Sequence, residues 1–160
     1  MTVYPKSASH TLLKAALAWA RNGKPVFPCK PGGKEPLTKR GHIDATTDPR
    51  EIHMWWKRWP NANIAVPTGE RSGFFVLDVD RDGWGFGTLD GLEEQFGELP
   101  PTWTVSTGRG GIHYYFKYPT DGTVIPNSAG RLGPGIDVRG EGGYVLVPPS
   151  RTEGAYEYLD

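Results

Sequence analysis

Cysteine is almost absent from this chain: Cys29 is the only one. A single cysteine excludes an intramolecular disulfide and a cysteine-based zinc site, so a buried structural thiol is its expected role and no zinc is expected. Long apolar runs are missing too. No stretch approaches the about 18 consecutive apolar residues of a membrane-spanning helix, and residues 1–10 lack the apolar core of a secretory leader. These absences predict a cytoplasmic protein with no membrane partner. There is no internal repeat, no low-complexity tract and no net charge, with 18 basic residues against 18 acidic ones.

The zero balance conceals an asymmetry. Residues 1–60 carry 11 Lys and Arg against 4 Asp and Glu, whereas residues 61–160 carry 7 against 14. A basic first part therefore adjoins an acidic second part, a pattern open both to a nucleic-acid partner and to a charge bias without one. With 160 residues and 37% hydrophobic content, the chain suits one compact domain spanning 1–160. Its 22 glycines and 15 prolines favour many turns between short strands over a helix bundle. The fold class expected is mixed α/β.

Local patterns fill in that expectation. Ser9 suits an N-cap before Leu12, Leu13, Ala16, Leu17 and Ala20 at helical spacing, and Gly23 stops the helix. Residues 24–29 read as a strand and 30–47 as a long loop concentrating Lys30, Lys34, Lys39 and Arg40. Asp48-Pro49 starts a second helix with Ile52, Trp55, Trp56 and Trp59 on its packed side. A strand over 63–67 precedes a second from Phe74, and the two are expected to be sheet neighbours. A helix over 87–96 would pack through Leu89, Leu92 and Phe96. A hairpin over 103–118 and strands over 136–139 and 144–148 complete the reading.

The chemistry is concentrated in Phe74-Phe75-Val76-Leu77-Asp78-Val79-Asp80. Side chains on a strand alternate, so Asp78 and Asp80 share a face with Cα atoms roughly 7 Å apart. Paired acids repel unless a hard cation accepts their oxygens, so the spacing suits a divalent ion; two solvated acids at a strand end are the plainer reading. Two later strands repeat the arrangement. His113, Tyr115 and Lys117 oppose an Ile112, Tyr114, Phe116 and Tyr118 stripe, while Asp137 and Arg139 oppose Ile136 and Val138. Between them, Ser106-Thr107-Gly108-Arg109-Gly110-Gly111 reads either as a hairpin turn or as a phosphate cradle of backbone amides, the Ser106 hydroxyl and Arg109.

The order Val-Leu-Asp-Val-Asp, then Ser106 to His113, then Ile136-Asp137 resembles the motifs of the archaeo-eukaryotic primase superfamily. More narrowly, it resembles the bifunctional primase-polymerase domain of phage and plasmid replication proteins. Gly33-Lys34-Glu35-Pro36-Leu37, Trp55-Trp56, Val66-Pro67-Thr68-Gly69 and Asp137-Val138-Arg139-Gly140 extend the likeness along nearly the whole chain. The resemblance implies a catalytic core with an RNA-recognition-motif-like sheet and a smaller N-terminal α/β part forming a cleft. It implies that Asp78, Asp80 and Asp137 hold Mn2+ or Mg2+ and that His113 binds the triphosphate of an NTP or dNTP. Ser106, Arg109 and Arg139 would assist, and Lys34, Lys39 and Arg40 would contact single-stranded template or primer. A longer replication protein with a helicase module, acting in the cytoplasm of a host cell, is the implied setting, of which this chain would be the excised catalytic core.

Three functions compete on these residues. A template-dependent nucleotidyltransferase would lengthen primers; a metal-dependent nuclease or phosphoesterase would use the same carboxylates and histidine without a nucleoside triphosphate; a silent DNA-binding initiation module would use the acids structurally.

Overall fold

The computed structural model describes residues 6–159. Residues 1–5, on which part of the leader reading falls, lie outside the described residues. Helix α1 (Lys6–Arg21) begins ahead of Ser9, so Ser9 lies within the helix and does not cap it. Leu12, Ala16, Trp19 and Ala20 bury one stripe of it. Strand β1 (Phe27–Cys29) follows, and the expected long loop then folds back through bridges of Val26 to Thr46 and Cys29 to Pro36, with a 3-10 turn at Gly41–Asp44. Helix α2 (Pro49–Arg58) starts as its sequence predicts: Pro49 sits in the first turn and the Asp48 carboxylate accepts from the Arg50 N–H at 2.9 Å. Ile52 and Trp56 are buried, with Trp55 and Trp59 packed beside them.

Strand β2 (Asn63–Pro67) pairs with β1 and with the later β8 (Tyr144–Leu146), forming a three-stranded sheet. Strand β3 (Phe74–Val79) belongs elsewhere. It is central to a six-stranded sheet that also contains β4 (Trp103–Ser106), β5 (Ile112–Lys117), β6 (Ser128–Ala129), β7 (Ile136–Arg139) and β9 (Glu157–Leu159), in the order β6-β7-β3-β5-β4-β9. The expected pairing of β2 with β3 is therefore corrected. Only a Gly69 to Phe74 bridge joins the two segments, because the chain turns at Gly69, φ 105°, and passes from one sheet to the other. Strand β9, beyond the last strand expected from sequence, closes the edge beside β4. Every ladder is antiparallel.

Both faces of the large sheet are covered. On one side Phe74, Val76, Val105 and Tyr115 join a core built with α1, α2 and the small sheet. On the other, Leu77, Val79 and Ile136 pack against Leu89 of helix α3 (Gly85–Phe96). Two-sided burial explains why β3 is a continuous apolar run and not a simple alternation. Phe96 does not share that packing; it is exposed at the end of α3.

Candidate active site

The register of β7, β3 and β5 builds the site. Asp78 lies directly opposite His113 on one neighbouring strand and opposite Asp137 on the other. Residues paired across an antiparallel ladder project from the same face with Cβ atoms about 4.5–5.5 Å apart, so Asp137, Asp78 and His113 form one row across the sheet. Arg139, two residues beyond Asp137 and opposite Val76, shares the same face and reaches back to the row. Its Nη2 donates to Asp137 Oδ2 at 3.1 Å and to Asp78 Oδ2 at 3.3 Å. His113 Nε2 lies 3.4 Å from Asp78 Oδ1, and its buried Nδ1 has no hydrogen-bond partner among the described residues.

Asp80 follows the end of β3, exposed, with its N–H donating to Gly135 O at 2.8 Å. Burial raises its carboxyl above the ordinary range, and the charges of Asp78 and Asp137 push it further in the same direction. Asp78 is more deeply buried. Burial opposes its ionisation, yet the His113 hydrogen bond and the charges of His113, Arg139 and Lys34 hold its carboxyl below the usual range. The two acids therefore affect stability in opposite senses. Asp78 stabilises the fold at neutral pH, and that contribution is lost as pH falls through its lowered folded value. Asp80 has a raised folded value, so its ionisation as pH rises destabilises the fold.

Asp80→Asn, which fixes the neutral form, is accordingly expected to melt about 1–3 °C above the wild type at pH 7, exposure keeping the effect small. The gain should vanish below about pH 4. Calorimetry without divalent metal tests this; an unchanged or lower melting temperature at neutral pH would contradict it.

A cavity of about 190 Å³ opens above Asp78 and His113, lined by Lys34, Asp78, His113 and Arg139 from the predicted set, whereas Asp80 and Asp137 do not line it. It lies between the two sheets, since Tyr144, Val145 and Leu146 of β8 also line it. Lys34, predicted to contact nucleic acid, is thus placed with the acids. Its loop is tied down from both sides: buried Asn63 donates to Gly33 O at 2.9 Å, and the Tyr144 hydroxyl donates to Lys34 O at 2.9 Å. Lys39 and Arg40 stay outside the cavity, exposed, and Arg40 is paired with Asp44 at 2.7 Å.

The Ser106 to Gly111 segment is placed differently from its cradle reading. It closes a hairpin turn through Thr107 N–H to Gly111 O at 2.9 Å. Gly111 is required there, because a Cβ would stand 2.6 Å from Val79 O and 3.4 Å from Asp80 Cα. Ser106 is paired with Ile112, which faces the α3 side of the sheet, and its hydroxyl donates to Glu157 O. Arg109 is exposed, 3.4 Å from Glu153 and 3.7 Å from Asp82. Neither lines the cavity. Tyr115, although on the His113 face, is buried among Phe74 and Trp103.

Sequence reasoning missed Asn127, Tyr144 and Tyr156, which line the cavity. Tyr156 packs its ring 5.9 Å from that of His113, and burial pushes its hydroxyl up to about 12. No periodicity marks these residues, because each comes from a separate strand or loop.

Among the described residues, no three of Asp, Glu, His or Cys already converge as a metal-binding group. The donor set nevertheless fits a hard cation: Asp78 and Asp137 turn oxygens toward one positive group, the Arg139 guanidinium, and Asp80 adds a carboxylate whose ionisation their charges oppose. Carboxylates bridged by an arginine, beside a lysine and a histidine, are groups suited to phosphoryl chemistry. The sequence comparison agrees with that class. Residues 16–160 match the family described as "Bifunctional DNA primase/polymerase, N-terminal", and the chain belongs to this family. Membership implies a primase/polymerase role in DNA replication. Among curated proteins, none matches the chain. No helix among the described residues is long and apolar enough to cross a membrane.

Proposed function

We propose that this chain is a template-dependent nucleotidyltransferase that makes or extends primers on single-stranded DNA from NTPs or dNTPs. The observation carrying this reading is the cross-strand row of Asp137, Asp78 and His113, with Arg139 and Lys34 over it in one cavity. The six-stranded sheet is the counterpart of the RNA-recognition-motif-like catalytic sheet, and the cavity between the two sheets is the counterpart of the primase cleft. Asp78, Asp80 and Asp137 are the residues that would hold Mn2+ or Mg2+. Bound there, the ions would lower the pKa of the attacking 3′ hydroxyl and neutralise charge on the triphosphate.

The remaining work falls to the chain itself. Lys34, held in position by its backbone, offers an ammonium to the triphosphate. Its place in the cavity supports nucleotide binding over the template contact expected from sequence. His113, packed between Asp78 and Tyr156, offers a ring nitrogen at a fixed depth. Arg139 neutralises the carboxylates in the unliganded protein and, when they accept a metal ion, is free to pair with phosphate oxygens. As the primer 3′ oxygen bonds to the α-phosphorus, the bond to the bridging oxygen of pyrophosphate breaks, and these cations stabilise the departing charge.

A labelled primed template incubated with nucleotides and manganese tests the proposal. Lengthened product is the expected result. Shortened product would favour the nuclease or phosphoesterase reading, and unchanged primer despite DNA binding would favour the silent module.

A further inference from the structure

Trp84 has no role in either core. It is 82% exposed, the most exposed large apolar residue among those described. It is also the one non-glycine described with positive φ, at φ 67° and ψ 17°. Left-handed backbone suits glycine, whereas a bulky residue there is a genuine outlier. Folding supplies no reason for it, since the exposed ring buries little and glycine would relieve the backbone.

The ring is nevertheless presented from a fixed base. On one side Gly85 is buried so tightly that a Cβ would stand 2.8 Å from Asp80 N. On the other, a Cβ at Gly83 would be 3.5 Å from Gly135 Cα. The Trp84 carbonyl accepts from Thr88 N–H at 2.8 Å, joining the residue to the first turn of α3. Asp80 N–H and Gly135 O complete this clamp at 2.8 Å, so the carboxylate strand and the tryptophan share one backbone support.

A second cavity, about 380 Å³, lies against the ring, with Arg81, Phe86 and Asp82, whose carboxylate lies 3.7 Å from Arg109, also lining it. It shares no lining residue with the cavity of Lys34, His113 and Arg139. A broad aromatic face beside a guanidinium suits an unstacked nucleobase whose backbone phosphate meets the cation. A free apolar ligand would leave Arg81 unused, and a duplex would keep its bases stacked away from the ring.

We propose that Trp84 is a stacking platform for a base of single-stranded nucleic acid beside the Asp80 end of the carboxylate strand, with Arg81 holding the adjoining phosphate. The inference rests on the primase/polymerase reading and adds to it a residue that positions the strand independently of the incoming nucleotide.

The test uses the full chain and a fluorescent oligothymidylate, with Trp84→Gly and Trp84→Phe as variants. Removing one base-stacking ring is expected to weaken oligothymidylate binding about 5- to 150-fold in Trp84→Gly. Trp84→Phe should retain most of the affinity. Free dNTP affinity with manganese should stay at the wild-type level in both, and Trp84→Gly should melt no lower than wild type because glycine adopts this φ without strain. Wild-type oligothymidylate affinity in Trp84→Gly would overturn the proposal. An equal loss of dNTP affinity would also overturn it, reassigning the ring to the incoming base. If wild type extends primers and Trp84→Gly binds normally, this inference alone fails. If wild type neither binds oligothymidylate nor extends a primer, the primase/polymerase reading fails with it.

Discussion

Asp78→Asn is expected to reduce primer extension by about 10³-fold or more while leaving the sheet assembled. Asp78 is the one residue that meets the other elements of the row from the centre: Asp137 and His113 are its ladder partners, and Arg139 reaches it at 3.3 Å. Asparagine keeps nearly the same volume in a buried position, so packing is preserved. What changes is charge. The amide loses the negative group that orients Arg139 and His113, and it is a poor ligand for a hard divalent ion. Loss of extension with an unchanged circular dichroism spectrum and melting temperature within a few degrees of wild type is the expected result. Extension within tenfold of wild type would remove Asp78 from the chemistry. Binding of oligothymidylate should survive the substitution, because the strand is proposed to sit on Trp84 and Arg81.

Arg139→Met should have the larger effect on stability. Without the guanidinium, Asp78 and Asp137 face one another across neighbouring strands with no strong cation between them, and Asp78 is 6% exposed. Removing one partner of a fully buried ion cluster costs about 3–5 kcal/mol. Arg139 and Asp137 are only partly buried, with side chains 30% and 22% exposed, so solvent screening lowers the expected loss. We expect about 2 kcal/mol, or a melting temperature lower by about 4–8 °C in the absence of divalent metal. Millimolar manganese should recover much of the loss in the variant and change the wild type less, because a metal ion and Arg139 satisfy the same carboxylates. Equal stabilisation of both proteins by manganese, or none, would show that the two cations do not share this place.

Alternation along a strand has a period of two, so local spacing was enough to set His113 and Tyr115 opposite the stripe of Ile112 and Tyr114; Asp80 falls beyond the end of β3, where alternation no longer sets its side. The sequence by itself also determined the start of α2, where Asp48 and Pro49 act within a single turn, and the membership of Ile52 and Trp56 in a core. These features depend on neighbours a few residues apart. The order of the acidic strand, the hairpin and Asp137 was likewise legible as a family likeness, which the match over residues 16–160 establishes.

Register is different, because it depends on strands that are distant in sequence and on which faces become buried. Long-range pairing sets Asp78 beside both His113 and Asp137, sends β2 to a separate sheet, and returns β9 to cover β4. It placed Ser106 on the far side of the sheet because its ladder partner is Ile112, although the family resemblance had grouped it with His113. It also brought Lys34 to the carboxylates through Asn63 and Tyr144, contacts spanning 30 and 110 residues of chain. Local periodicity sets the direction of a side chain, but long-range hydrogen bonding and burial determine which side chains meet.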